Sequence, residues 1–154
     1  MEIQELLSPE RIACDITVSS KKRALEQISG MLAEDKSINL AAHEVCESLI
    51  AREKLGSTGI GSGVAIPHGR LSHTDKAIAA FVRLHDGIDF DSVDNQAVDL
   101  IFALLVPEDS TEEHLKILSE LAEMFSSDSV RSKLRESPDQ QAICNVISNW
   151  KQYR

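Results

Sequence analysis

The sequence predicts an α/β fold, a single-domain sandwich in which helices cover both sides of a mixed central β-sheet. Short apolar runs typical of buried strands alternate irregularly with amphipathic stretches typical of helices. The most hydrophobic run, residues 98–106, is expected to be the central strand, buried on both faces and ended by Pro107. With 154 residues, 42% of them hydrophobic, the chain suits one domain spanning 1–154 around a substantial core.

The charge and composition exclude several classes of protein. The net charge is −9 and no basic cluster exceeds residues 21–23, which argues against nucleic-acid or anionic-membrane binding. No apolar run approaches the ~20 residues that a bilayer requires, and the N-terminus lacks the pattern of a signal peptide. Cys14, Cys46 and Cys144 are far apart among apolar neighbours, so we expect reduced, buried thiols in a cytoplasmic protein.

The first third of the chain predicts two short helical segments, an edge strand and two helices. Residues 3–7 form a short helix, Ser8 caps a turn begun by Pro9, and residues 11–18 form the strand. Ser20 caps the first long helix. Its inward face comprises Ala24, Leu25, Ile28, Met31 and Leu32.

Asn39 is expected to cap the second helix. Its inward face comprises Ala42, Val45, Cys46, Leu49 and Ile50. Arg52 lies at the C-terminal end of this helix, where a cation suits the helix dipole. That structural role competes evenly with a phosphate-binding role on the residue pattern alone.

The middle of the chain predicts two further strands. Residues 64–66 read as a buried strand stopped by Pro67, which places His68 in a loop at the mouth of the strand. Residues 77–84 form the next strand, and residues 86–87, Asp-Gly, mark a turn after it.

The last third of the chain predicts three helices. Ser110 and Glu113 form a capping box for the first, with His114 in its first turn. Its inward face comprises Leu115, Leu118, Leu121, Ala122 and Phe125. A second helix contains Val130 and Leu134. Residues 137–140 cap the last helix, whose inward face comprises Ile143, Val146, Ile147 and Trp150.

A glycine-rich segment immediately precedes His68. Four of the chain's seven glycines lie between Gly56 and Gly63, and such a backbone can turn its N–H groups toward an anion. A neutral imidazole beside that site could attack a phosphoryl group. On its own, however, a loop histidine is more often structural, and His114 on its own is more often an exposed helical residue. The spacing matches neither a P-loop nor a dinucleotide fingerprint.

The whole run is more specific than any of its parts. Residues 52–53 read RE and residues 56–69 read GSTGIGSGVAIPHG, followed by VDLIFALLVPE at residues 98–108 and EHL at residues 113–115. Together they closely resemble the enzyme IIA proteins of the phosphotransferase system. They resemble most the nitrogen-regulatory branch, which is related to the fructose and mannitol IIA domains. Residues 90–99 resemble that branch too.

The resemblance implies a cytoplasmic phosphocarrier with the predicted fold. His68 would accept a phosphoryl group from an HPr-like phosphohistidine protein, with Arg52 and His114 assisting and the glycine-segment amides as further donors. Its phosphorylation state would regulate partner proteins of nitrogen, potassium or carbon metabolism. No cofactor, metal, nucleic acid or membrane insertion is expected.

Three alternatives stay open at the level of the sequence. A free-standing sugar-transport IIA protein would use the same chemistry and pass phosphate to a IIB domain. A metal hydrolase would use His68, His73 and His114, although no carboxylate stands at a recognisable ligand spacing. An interaction module without phosphorylation would leave His68 vestigial.

His43, His73 and His85 are interpreted as surface residues.

Overall fold

The computed structural model describes residues 2–72 and 76–154 and contains a six-stranded mixed sheet with helices on both faces. The strands are β1 (Ile12–Ile16), β2 (Gly59–Gly61), β3 (Val64–Ala65), β4 (His68–Leu71), β5 (Ile78–Ile88) and β6 (Val98–Pro107). The helices are α1 (Lys21–Ala33), α2 (Ala42–Glu53), α3 (Thr111–Phe125), α4 (Asp128–Glu136), α5 (Gln140–Ser148) and α6 (Trp150–Tyr153). Short 3₁₀ helices span Ile3–Leu6 and Pro9–Arg11. The predicted sandwich is confirmed.

Strand β6 is the central strand, as its sequence predicts. It pairs antiparallel with β5 on one side and parallel with β3 and β4 on the other. At the edges of the sheet, β1 lies parallel to β5 and β2 antiparallel to β3. Strands β3 and β4 keep one register along β6, since Ala65 lies opposite Ile101 and His68 opposite Leu104. The break between them falls at Pro67, which has no N–H to donate.

The alternating side chains of β6 divide the core into two layers. Leu100, Phe102, Leu104 and Val106 pack against α3, α4 and α5, whereas Ile101, Ala103 and Leu105 pack against α1 and α2. Burying one such side chain contributes about 1.5–3 kcal/mol. The two layers therefore hold α2 and α3 on opposite faces of the sheet that contains His68.

Helix α3 is anchored at its C-terminal end by aromatic packing. The Phe125 ring lies 6.5 Å from the Phe81 ring and 6.2 Å from the Phe102 ring, measured between centroids. Aromatic pairs of this kind contribute about 0.5–1.5 kcal/mol beyond the area that they bury. This anchor fixes the axis of the helix whose first turn carries His114.

The predicted cap of α2 is wrong. Asn39 lies in the left-handed region at φ 49°, which asparagine tolerates, and the helix begins after Ala41. The Glu44 carboxylate accepts a hydrogen bond from the Ala41 N–H at 3.2 Å, which is the half of a capping box that the third helical residue supplies. Ala42, expected on the inward face, is exposed.

The predicted turn at Asp86 and Gly87 is also wrong. Strand β5 continues through both residues to Ile88, with a register shift between Arg83 and Ile88. A side chain at Gly87 would lie 2.8 Å from the Cβ of Ala97. The glycine therefore serves the close approach of a neighbouring segment rather than a reversal of the chain.

The inward face of α3 agrees with the prediction at Leu121 and Phe125 and differs from it elsewhere. Leu115 is 61% exposed and Ala122 is exposed, whereas the buried face comprises His114, Ile117, Leu121, Met124 and Phe125. The Ser110 hydroxyl makes no capping hydrogen bond with the described residues, so the predicted capping box does not form. The helix is rotated by about one position relative to the prediction, and this rotation turns His114 inward.

The three cysteines and the other described histidines form no metal-binding group among the residues that the structure describes. Cys14, Cys46 and Cys144 are free thiols but only partly buried, and burial raises the pKa of the Cys14 thiol. His43 and His85 are exposed, as predicted. His73 lies outside the described residues.

Candidate functional site

His68 is the first residue of β4 and does not lie in a loop as predicted. Strand β3 ends at Ala65, and after Pro67 the chain resumes pairing along β6. The Pro67 carbonyl accepts a hydrogen bond from the Leu104 N–H at 3.0 Å, so the interruption is held against the central strand. His68 is therefore placed by the sheet itself, which makes its position more rigid than a loop would.

One ring nitrogen of His68 makes a hydrogen bond with the backbone. Nδ1 lies 2.9 Å from the carbonyl oxygen of Ile66. Because a carbonyl only accepts, Nδ1 must carry the proton and Nε2 must carry the lone pair. This contact leaves Nε2, the outer ring nitrogen, as the available nucleophile.

His114 faces His68 from the first turn of α3. The two ring centroids are 5.2 Å apart and the rings are inclined by 70°. His114 is only 4% exposed, and neither of its ring nitrogens has a hydrogen-bond partner among the described residues. Burying an unpaired polar group costs about 1–3 kcal/mol. A ligand oxygen between the two rings would recover that cost.

Arg52 approaches the same place from the C-terminal end of α2. One terminal nitrogen of its guanidinium donates to the Gly56 carbonyl at 2.8 Å. That single bond fixes the fork and leaves other N–H groups for a second acceptor. Arg52, His68 and His114 are all brought together around one cavity.

This His68 cavity has a volume of about 360 Å³ and is lined by Ser48, Ala51, Arg52, Leu55, His68, Gly69, Arg70 and His114. Two arginines line it, and none of the described lining residues is a carboxylate. In a chain with a net charge of −9, this local excess of positive charge favours an anion.

Two residues that line the cavity, Arg70 and Ser48, are not predicted from the sequence. Arg70 follows His68 by two positions along β4 and therefore lies on the same face of the strand. This spacing can be read from the sequence once the strand is known. Ser48 precedes Arg52 by one helical turn, and its hydroxyl donates to the Arg70 carbonyl at 3.3 Å. A side chain on Gly69 would lie 2.3 Å from the Ser48 hydroxyl oxygen, so only glycine lets α2 approach the strand.

Burial and the neighbouring arginines keep both histidines neutral near pH 7. Desolvation by burial lowers the pKa of His68 most, the hydrogen bond to Ile66 opposes that, and Arg52 lowers it further. For His114, burial, then the charge on His68 and Arg70, lower the pKa to about 4. Neutral rings provide a lone pair on one residue and an uncharged donor on the other.

The family whose model matches this chain decides the identification. Residues 5–150 match the model described as "Phosphoenolpyruvate-dependent sugar phosphotransferase system, EIIA 2". The chain belongs to this EIIA family. The resemblance predicted from the motifs is confirmed, and the chain is a IIA-type phosphocarrier of the phosphotransferase system.

Relatives place it near the nitrogen-regulatory branch of the family. It is 43% identical to "Nitrogen regulatory protein" of Pseudomonas aeruginosa, over 96% of this chain and 95% of the relative. It is 45% identical to the protein of that name from Bradyrhizobium diazoefficiens, over 96% and 95%. The crystal structure of "Nitrogen Regulatory Protein IIA-Ntr" from Neisseria meningitidis superimposes with a TM-score of 0.90, 43% identity and coverage of 94% and 98%.

The glycine-rich segment of this IIA-family chain is expected to line the His68 cavity, but it does not. Side chains added at Gly59, Gly61 and Gly63 would meet Ser92, Asp94, and Arg135 with Asp99, respectively. These glycines instead allow β2 and the turn before β3 to pack closely on residues 92–99. Among the described glycines, Gly69 is the one that lines the cavity.

The finding on metal ligands covers only part of the hydrolase hypothesis. No group of three histidine, cysteine or carboxylate side chains within residues 2–72 and 76–154 has the geometry to hold a metal ion. His68 and His114 are adjacent, but His73 lies outside that range. No helix in the described parts of this IIA-family chain is long and apolar enough to cross a bilayer.

His114 should make stability depend on pH. Its pKa is about 4 in the folded chain and 6.5 ordinarily, so between these values the unfolded chain binds more protons. The contribution of neutral His114 to the free energy of unfolding is therefore fully present above pH 6.5. It falls by about 3 kcal/mol as the pH drops to 4. We expect His114→Gln to lose less stability than the wild type over this range, measured by urea unfolding.

The comparison needs a matched control, because many groups titrate in acid. His43→Gln removes an exposed histidine and should reproduce the wild-type dependence on pH. If His114→Gln follows the wild type throughout, the buried neutral state assigned to His114 is wrong.

Proposed function

We propose that the chain accepts a phosphoryl group on Nε2 of His68 from the phosphohistidine of an HPr-like carrier. The phosphorylation state then regulates partner proteins in the cytoplasm. The observation that carries the proposal is the Nδ1 contact with the Ile66 carbonyl, because it leaves the Nε2 lone pair directed away from the backbone, in a cavity lined by arginines. The 154-residue chain would act as one IIA unit.

The transfer step is balanced without a cofactor. The N–P bond of the donor histidine breaks as a new N–P bond forms at Nε2 of His68, and the donor ring recovers its lone pair. The proton on Nδ1 stays in place, and the Ile66 carbonyl stabilises the positive charge that develops on the ring. Because one phosphohistidine replaces another, the step needs no large driving force.

The two assisting residues would act on the phosphoryl oxygens. Phosphoryl transfer places charge on three equatorial oxygens, so catalysis is mainly positioning and electrostatic stabilisation. Arg52 would supply a permanently charged fork. His114 would donate an N–H from a neutral ring, and that ring nitrogen would gain the partner that it lacks among the described residues.

Sequence identity favours regulation over sugar transport. The two nitrogen regulatory relatives are 43% and 45% identical to this chain, whereas "PTS system fructose-specific EIIABC component" of Bacillus subtilis is 32% identical. In the proposed role, turnover on a small molecule is not required. Adding a phosphoryl dianion beside Arg52 alters the field over about a Debye length, ~8 Å, which a bound partner would detect.

The test begins with incubation of the chain with a phosphorylated HPr-like carrier. We expect intact-mass analysis to show one phosphoryl group per chain, labile in acid and stable in alkali as phosphohistidine is. The phosphorylated chain is then mixed with membranes and candidate sugars from the same cells. A persistent adduct supports regulation, whereas rapid, sugar-dependent loss would establish the transport alternative.

A further inference from the structure

A buried carboxylate next to Arg52 has no part in the transfer step described above. Glu53 is the last residue of α2, and its side chain is 5% exposed. Lys21 Nζ lies 2.9 Å from Oε1, the Thr58 N–H donates to Oε1 at 3.1 Å, and the Thr58 hydroxyl donates to Oε2. Buried charges persist where they are paired and hydrogen-bonded. These three residues form the Glu53 network.

The first connection from this network leads to the ring of His68. The Thr58 carbonyl accepts a hydrogen bond from the Ile66 N–H at 3.0 Å. The Ile66 carbonyl in turn lies 2.9 Å from Nδ1 of His68. A continuous sequence of hydrogen bonds and peptide units therefore runs from the Glu53 carboxylate to the group that selects the tautomer of His68.

The second connection leads to the guanidinium of Arg52. The loop of residues 54–57 joins Glu53 to Thr58, and its Gly56 carbonyl is the acceptor that holds Arg52. Gly56 has a φ of 148°, which favours glycine. Since Glu53 binds Thr58 through both the N–H and the hydroxyl, it closes this loop and determines where the Gly56 carbonyl points.

We propose that Glu53 is a positioning residue for phosphoryl transfer, holding His68 in the Nδ1–H tautomer and Arg52 at the cavity through Thr58. The inference rests on the proposed function. The charge of Glu53 also acts directly on His68, since it raises the pKa of the ring and opposes Arg52. One buried carboxylate thus positions both His68 and Arg52, which approach the cavity from different elements.

The test uses two variants with different risks to the fold. Glu53→Gln removes the charge but keeps the shape, and Thr58→Val removes one hydroxyl and keeps the backbone. The first measurement is the ratio of Nδ1–H to Nε2–H tautomers of His68, read from the imidazole nitrogens by NMR without any donor protein. The second is the rate of phosphoryl uptake from the phosphorylated HPr-like carrier.

We expect the Nδ1–H fraction to fall in both variants and uptake to slow by about tenfold to a hundredfold, as small misplacements of reacting groups do. Glu47→Gln, an exposed glutamate on the same helix, and Thr58→Ser should both behave as the wild type. Because the two residues act through one connection, the double variant should be little slower than the slower single variant.

The two proposals fail in different ways. If the wild type takes up no phosphoryl group, the proposed function fails, while the tautomer ratio still decides whether Glu53 orients His68. If the tautomer ratio in Glu53→Gln and Thr58→Val equals that of the wild type, the positioning role is overturned, whatever happens to the rate.

Discussion

Alanine at position 68 is expected to abolish phosphoryl uptake completely. The proposed reaction needs a lone pair that faces the cavity, and the hydrogen bond from Nδ1 to the Ile66 carbonyl leaves that lone pair on Nε2 of His68. The His114 ring lies 5.2 Å from the His68 ring, measured between centroids, and its nitrogens have no partner among the described residues. It is only 4% exposed, however, so the ring of a donor protein cannot reach it. Intact-mass measurement after incubation with the phosphorylated carrier should therefore show no added phosphoryl group.

The control for this variant is His43→Ala. His43 is exposed on α2 and outside the cavity, so its removal should leave one phosphoryl group per chain. Persistence of the mass shift in His68→Ala would show that another residue is the acceptor and would overturn the assignment.

The architecture could be predicted because the strongest sequence patterns belong to the sheet. Residues 98–106 are so apolar that only a central strand, buried on both faces, accommodates them. The sequence misleads where a local turn or cap pattern competes with packing. The pattern Asp-Gly is typical of a turn, but Gly87 is required for the close approach of Ala97. The identity of residues 86–87 alone does not predict this contact with a residue ten positions later.

The burial of His114 could not be predicted for a related reason. The predicted apolar stripe of α3 comprises Leu115, Leu118, Leu121, Ala122 and Phe125. The structure buries Leu121 and Phe125 of that stripe, but it also buries Ile117 and Met124, turns His114 inward and leaves Leu115 61% exposed. Histidine is less hydrophobic than the residues that usually form a buried helix face. A pattern based on hydrophobicity therefore places His114 on the exposed face.

His68 and Arg52 were predicted from the family motif, but their geometry required the structure. The sequence predicts glycine-segment amides as further donors to the phosphoryl group, whereas the structure places Arg70 and Ser48 at the cavity. Arg70 could have been found from the period of two along a strand. That inference required knowing that His68 begins a strand, which Pro67 conceals.

Removing the guanidinium of Arg52 is expected to slow phosphoryl uptake by about a hundredfold to a thousandfold. The loss of one preorganised donor typically costs about 2.7–4 kcal/mol of transition-state stabilisation. Arg52→Lys should lie between alanine and the wild type, because an ammonium keeps the charge but not the two-pronged geometry. Single-turnover rates with the phosphorylated carrier measure the effect.

Stability distinguishes this role from a purely structural one. Among the described residues, Arg52 makes one hydrogen bond, to the Gly56 carbonyl. It also lies where a cation favours the helix dipole, so Arg52→Ala should cost about 1 kcal/mol of unfolding free energy. Arg23→Ala, which removes an exposed arginine at the start of α1, controls for the general loss of positive charge and should react at the wild-type rate. If Arg52→Ala also reacts at that rate while losing stability, Arg52 serves the helix rather than the phosphoryl group.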